Sequence, residues 1–137
     1  MKTIRKRAKL EYLDDMLEEI DLYLTEIGMP KKYRLETQLI AEELFTNTAR
    51  YSYETDSENN YCQFELVPQD DELLIRITDE GKPFDPTAAP SPDVGASYQT
   101  RPTHGLGIYI VRHYITRMYY CYKDRKNILS LYRALPS

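Results

Sequence analysis

Leu73, Ile75 and Ile77 alternate with Leu74, Arg76 and Thr78, and the row that begins at Leu73 ends in a carboxylate, Asp79. Strand side chains repeat at period two, so these residues share one face. A row that is apolar for three positions faces a core, and a carboxylate at its end needs a partner. Gly81 follows two residues later, where the missing Cβ permits a close approach to the backbone. The fold must therefore bring a strand end, a bare stretch of backbone and a partner for Asp79 to one place.

The flanking segments supply the other elements. Thr3 to Arg7 alternate as a short edge strand. Leu10, Leu13, Leu17, Ile20, Leu24 and Ile27 recur at steps of three and four, the stripe of an amphipathic helix ended by Gly28 and Pro30. A second helix is expected from about Lys31 to Tyr51, with Leu35, Leu39, Leu44 and Phe45 on its buried face. Cys62, Phe64 and Leu66 alternate with Gln63 and Glu65, and this strand forms a hairpin with the Leu73 strand. From Glu80 to His104 prolines and glycines replace apolar residues, and a loop of that length is functional or disordered. Gly107 to Thr116 reads as a helix. Met118 to Tyr122 and Ile128 to Ala134 read as a closing hairpin that turns near Asp124 to Asn127. The class is α+β, helices beside one mostly antiparallel sheet.

A chain of 137 residues, 42% hydrophobic, builds one well-buried core but not two ordinary ones, so residues 1–137 read as a single domain. The formal net charge of -4 gives no sustained positive field, which argues against nucleic acid as a partner. Arg5, Lys6, Arg7 and Lys9 read instead as the exposed face of the first strand. No apolar run approaches the roughly 18 residues of a membrane span, and nothing at the N-terminus resembles a secretory signal. A cytoplasmic location is expected. Cys62 and Cys121 lack the spacing of a zinc site and read as free buried thiols, and His104 and His113 are too few for a histidine-based metal cluster. Thirteen tyrosines without a tryptophan carry no functional reading of their own.

Three short pieces carry chemistry. Glu43 and Asn47 are four apart on the second helix with Arg50 three beyond, so the three project from one side. The neutral carbonyl oxygen of Asn suits Mg²⁺ that already carries phosphate oxygens. Glu43 is placed to accept a proton, and Arg50 to supply charge to phosphates. Asp79 with Gly81 offers an acceptor for an exocyclic amine such as N6 of adenine. Gly105, Leu106 and Gly107 open a helix after the long loop, where backbone N–H groups attract a polyphosphate. In this order the pieces describe an ATP pocket without a P-loop.

The same residues carry a family likeness. Glu42-Glu43-Leu44-Phe45-Thr46-Asn47 is similar to the N box of the GHKL (Bergerat-fold) ATPases, the superfamily of gyrase, MutL and the histidine kinases. Asp79-Glu80-Gly81-Lys82-Pro83-Phe84-Asp85-Pro86 resembles its D-x-G box, and the stretch from His104 to Arg112 its G-x-G box. Single-domain anti-sigma-factor serine/threonine kinases resemble the chain over nearly its whole length. The likeness implies a two-layer α/β sandwich with helices on one face of a mixed, mostly antiparallel sheet, and an ATP lid at about residues 87–104. It further implies Glu43 as general base, Asn47 as Mg²⁺ ligand, Asp79 as adenine partner, Gly105 with Gly107 as phosphate contacts, and His104 as a lid or phosphate contact. Two positions depart from the family pattern: Arg50-Tyr51-Ser52 follows the N box in the histidine-kinase manner, and Asn127 stands where some members place a threonine.

The function implied is an Mg-ATP-dependent serine/threonine kinase acting on a STAS-domain anti-sigma-factor antagonist, with a sigma factor as competing partner and a homodimer as scaffold. The alternative is a regulatory module in which ATP switches protein affinity without phosphoryl transfer. A histidine-kinase catalytic domain would further need a dimerisation helix pair with its acceptor histidine. Retention of Glu43 favours the kinase.

Overall fold

A computed structural model describes residues 1–88 and 103–136. Strand β1 (Lys2–Arg7) leads through a 3-10 turn into α1 (Leu13–Glu26), whose first turn carries Asp14 and Asp15 against the positive end of the helix dipole. Gly28, at φ 78°, ends it: the Gly28 N–H donates to the Thr25 carbonyl at 3.0 Å and the Met29 N–H to the Leu24 carbonyl at 2.9 Å. This paired Schellman closure satisfies carbonyls that the helix end would leave open. Pro30 then begins α2 (Lys31–Asn47). Arg34 ties the two helices together, donating to Asp21 Oδ1 at 3.1 Å and to the Met29 carbonyl at 3.0 Å.

The buried face of α1 is Met16, Ile20 and Leu24. Leu10 and Ile27, expected on it, are exposed because the helix starts at Leu13 and stops at Glu26. On α2 the core residues are Thr37, Ile40, Ala41, Leu44 and Phe45. Leu35 is 58% exposed, since a position two residues before Thr37 lies on another side of the helix. The regular helix also ends earlier than Tyr51: Thr48–Ser52 widen into a π turn.

Strands β2 (Tyr61–Pro68), β3 (Glu72–Asp79), β4 (Arg117–Lys123) and β5 (Lys126–Ala134) join β1 in a sheet of order β1-β2-β3-β5-β4, antiparallel at each of its four contacts. The expected hairpins form, the second around Asp124 and Arg125, whose φ values of 54° and 64° suit a two-residue turn. Register lines up Ile4, Phe64, Ile77 and Leu129 across the sheet, and Leu66, Ile75 and Leu131 beside them. This face meets α1, α2 and α3 (Thr103–His113), which adds Ile108 and Val111 to the core. The architecture is the α+β sandwich expected. Losing a side chain such as Phe45 from it costs about 3–5 kcal/mol.

The outer basic residues are partnered: Lys9 pairs with Asp56 at 2.9 Å, Lys6 with Glu19, and Arg5 donates to Gln63 while stacking over Tyr61. Cys62 is buried, but Cys121 is exposed, because β4 is the edge strand and Cys121 pairs with Ile128 on the sheet face away from the helices. Among the described residues no helix is long and apolar enough to cross a membrane.

Candidate functional site

The core-facing rows of β3 and β5 both turn polar at one end, where Asp79 and Asn127 are direct register partners. Both are buried, at 7% exposure each. Asp79 Oδ1 accepts from the Gly81 N–H at 2.8 Å and from Asn127 Nδ2 at 2.9 Å, and the Ser52 side chain adds a further hydrogen bond. Burial raises the Asp79 pKa above its ordinary value, and those three hydrogen bonds, which favour the charged form, only partly offset it.

Gly81 serves this corner for a reason the sequence concealed. A Cβ placed on it would lie 2.2 Å from the Ser52 carbonyl oxygen, and the neighbouring Lys82 N–H donates to that same oxygen at 2.8 Å. The glycine lets the turn after β3 press against the π turn after α2. Tyr53 fastens the same junction: its hydroxyl donates to the Tyr61 carbonyl at 2.6 Å and accepts from the Glu80 N–H at 2.9 Å. Burial above all pushes its pKa up to about 12.

Asp79 opens onto a cleft of about 260 Å³. Leu44, Ile77, Ile108 and Leu129 supply its apolar lining, and Asn47, Asp79 and Asn127 are among its few polar groups, the composition of a small-molecule site. Glu43, half-buried on α2, stands one helical turn before Asn47. A Cβ on Gly107 would sit 2.5 Å from Glu43 Oε2 and 3.8 Å from Asn47 Nδ2, so this glycine leaves the space that the two polar side chains use. Burial first, and then the charge of Glu42, raises the Glu43 pKa; Arg50 opposes the rise.

The sequence-derived residues thus converge, with changes of detail. Asn47 and Asp79 line one cleft, and Gly107 packs against Glu43 and Asn47. Arg50 is exposed on the π turn and acts on Glu43 through its charge. The helix expected to open at Gly107 begins at Thr103, so Gly105 lies in its first turn with His104 and Leu106, and Gly107 in its second. Glycine costs a helix only about 1 kcal/mol, which the burial of Ile108 and Val111 outweighs. First-turn amides have no intrahelical acceptor, and this leaves Gly105 better suited than Gly107 to offer an N–H to an anion. Most of the lid expected at residues 87–104 lies outside the described residues; at its start the Arg112 Nη2 donates to the Thr87 carbonyl at 2.6 Å.

Sequence reasoning placed Asn127 only as a departure from a family pattern and did not find Ser52 or Tyr120. Ser52 bonds Asp79, and the Tyr120 hydroxyl donates to Asn127 Oδ1 at 2.5 Å. The residues fit a bound Mg-nucleotide: Asn47 and Asp79 place one amide and one carboxylate on the wall of an apolar cleft, and Glu43 adds a second carboxylate one helical turn from Asn47. Among the described residues no three or more His, Cys, Asp or Glu side chains gather as a metal cluster.

Comparison with known proteins bears on the fold and the family. No curated protein matches the chain. The crystal structure of the RsbU and RsbW domains of Rv1364c from Mycobacterium tuberculosis shares the fold at TM-score 0.65 and 12% identity; the match covers 98% of this chain and 33% of that one, so the chain spans about a third of its length. The mycobacterial sensor histidine kinase MprB matches at TM-score 0.53 and 15% identity over 98% of both chains. The family profile of the histidine kinase-like ATPase domain matches residues 7–133, and with nearly its whole length covered the chain belongs to that family.

Proposed function

We propose that the chain is an Mg-ATP-dependent serine/threonine protein kinase that phosphorylates a STAS-domain anti-sigma-factor antagonist and regulates a sigma factor by exchanging one partner for the other. Membership in an ATPase-domain family implies nucleotide binding. The observation that carries the finer reading is Glu43, a half-buried carboxylate of raised pKa kept beside Asn47 by the missing side chain of Gly107.

When bound, ATP supplies the phosphoryl group and Mg²⁺ offsets its charge. Asp79 accepts a hydrogen bond from the exocyclic amine of adenine. Asn47 offers its side-chain oxygen to the metal ion. Glu43 takes the proton of the attacking serine or threonine hydroxyl, and a pKa raised by burial makes its carboxylate a stronger base than an exposed one. Arg50 and the open first-turn amides of α3, at His104 and Gly105, supply donors and positive charge for the polyphosphate. Residues 87–104 act as the lid over a single domain of residues 1–137, which works as a homodimer in the cytoplasm, without nucleic acid.

Incubation of the pure protein with labelled ATP, Mg²⁺ and candidate STAS-domain proteins tests this reading. Label on a serine or threonine of a candidate, lost in Glu43→Gln, is the expected result. Nucleotide-dependent association without label would overturn the kinase in favour of an ATP-switched binding module. Neither association nor label with any candidate would remove the partner-switch assignment.

A further inference from the structure

The hydrogen bonds around Asn127 do more than fill the end of a sheet. Its Oδ1 accepts from the Tyr120 hydroxyl at 2.5 Å and from the Phe84 N–H at 3.1 Å. Its Nδ2 faces Asp79 Oδ1 at 2.9 Å, the Lys82 carbonyl at 3.0 Å and the Gly81 carbonyl at 3.3 Å. A side-chain amide has one accepting and one donating end, and here two donors meet the first while three acceptors meet the second. Rotating the amide by half a turn would set oxygen against carboxylate and carbonyls, and N–H against N–H and O–H. Tyr120 and the Phe84 amide therefore lock the direction in which Asn127 donates.

The lock determines what Asp79 has left to offer. A carboxylate has about four lone-pair sites. Gly81, Asn127 and Ser52 occupy three, leaving one acceptor for a ligand that enters the cleft. Asn127 has no group to spare, since both its ends are engaged within the protein. The base-recognition end thus presents a single charged acceptor in a fixed direction. Such a floor accepts a ring bearing an amino group and rejects one bearing an oxo group at the same position.

We propose that Tyr120 and Asn127 are a positioning pair, acting through Asp79, that keeps its carboxylate ionised, oriented and limited to one free acceptor, and so sets the preference for a 6-amino over a 6-oxo purine. The proposal deepens the nucleotide reading above and rests on it for the ligand, while the state of Asp79 can be read without one. The groups that face Asp79 are Cys62 on β2, Tyr53, Tyr61 and Tyr120, each of which senses its charge, together with Glu80 next in the chain and Lys82 on the cleft wall. The tyrosines and the thiol are uncharged near neutral pH.

Carboxyl carbon NMR of the full chain without nucleotide, titrated in the parent, Asn127→Leu and Tyr120→Phe, provides the test. Removing a hydrogen bond to the ionised form should raise the Asp79 midpoint, by about one to two pH units in Asn127→Leu. Tyr120→Phe should produce a smaller rise in the same direction, because it frees the amide to turn while keeping the ring. Titration calorimetry should then show the ratio of ATP to GTP affinity falling in both variants, about tenfold or more for Asn127→Leu. A purely structural role would lower stability without moving the Asp79 midpoint, and an unmoved midpoint in folded Tyr120→Phe overturns the proposal even if Asn127→Leu does not fold. A shifted midpoint with an unchanged ATP to GTP ratio overturns the selectivity claim. Failure of the parent to bind ATP or GTP overturns the nucleotide reading and the selectivity claim with it, whereas the titration still decides the positioning claim.

Discussion

The two ends of the β3–β5 interface each bury a charge, and they treat it in opposite ways. At one end Leu73 pairs with Arg133, which is 3% exposed; its guanidinium donates to Glu36 on α2 at 2.7 Å, reaches the Thr37 hydroxyl at 3.4 Å and lies over the Tyr33 ring. At the other end Asp79 has neutral donors, an opening and, among the described residues, no ion pair. A charge neutralised within the fold has nothing left to give a ligand. A charge held by neutral groups beside a cleft remains available to one.

The largest expected effect lies at the closed end. Glu36→Ala leaves the Arg133 charge buried without its carboxylate, and breaking such a pair costs about 3–5 kcal/mol. Because Glu36 is partly exposed, the lower part of that range is expected in urea unfolding. Nucleotide affinity of the folded fraction should stay at the parent value. Loss of affinity there would show that the two ends are coupled through α2 and would break the contrast.

Glu43→Gln, on the same helix, should reverse that pattern: unchanged stability and nucleotide affinity, with phosphoryl transfer reduced about 10²-fold or more. Gly107→Ala sharpens it. An added Cβ must displace the Glu43 carboxylate, a shift that costs transfer up to about 10²-fold, while replacing a helical glycine stabilises α3 by up to about 1 kcal/mol. A Gly107→Ala protein that gains stability and keeps the parent transfer rate would mean that the position of Glu43 is not critical.

How much of this contrast was legible depends on whether the decisive neighbour is near in sequence. Glu43 and Asn47 are one helical turn apart, so helix periodicity alone joins them. Asp79 stands out because it ends an apolar row. Arg133 ends a comparable row in β5, yet what makes it structural is Glu36, 97 residues away. Asn127 likewise meets Asp79 only because β5 inserts between β3 and β4, an arrangement of strands that no local pattern encodes. Gly81 was identified for the right property, its missing Cβ, but the group that fills the space is Ser52. Leu35 and Ile27 were misplaced because a stripe of apolar residues does not say where a helix begins, ends or widens. Three tyrosines that composition left without a reading, Tyr53, Tyr61 and Tyr120, use their hydroxyls to bind the site's frame together.

Asp79→Asn moves the open end toward neutrality. Removing a charge-assisted hydrogen bond to the adenine amine should cost about 1.5–3 kcal/mol of ATP affinity, measured by titration calorimetry. Stability at neutral pH should rise slightly, in contrast to Glu36→Ala. Unchanged ATP affinity in the folded variant would remove Asp79 from base recognition.

The smallest effect is the most discriminating, because its sign differs from that of an ordinary surface carboxylate. Burial raises the Asp79 pKa, so the folded protein holds this proton more tightly than the unfolded chain does. Above the raised pKa both states are ionised, and the full cost of burying the charge is present. As pH falls through the folded pKa toward the unfolded value, the folded state gains a proton first and stability attributable to Asp79 rises. Asp79→Asn has no such proton to gain. Urea unfolding at a series of pH values should therefore show the parent trailing Asp79→Asn near neutrality and the gap closing on acidification. ATP affinity of the parent should fall over the same interval, since the protonated acid no longer offers a charged acceptor. A gap that widens on acidification would mean that the cleft already stabilises the ionised carboxylate as well as Glu36 stabilises Arg133, and the two ends would then differ only in shape.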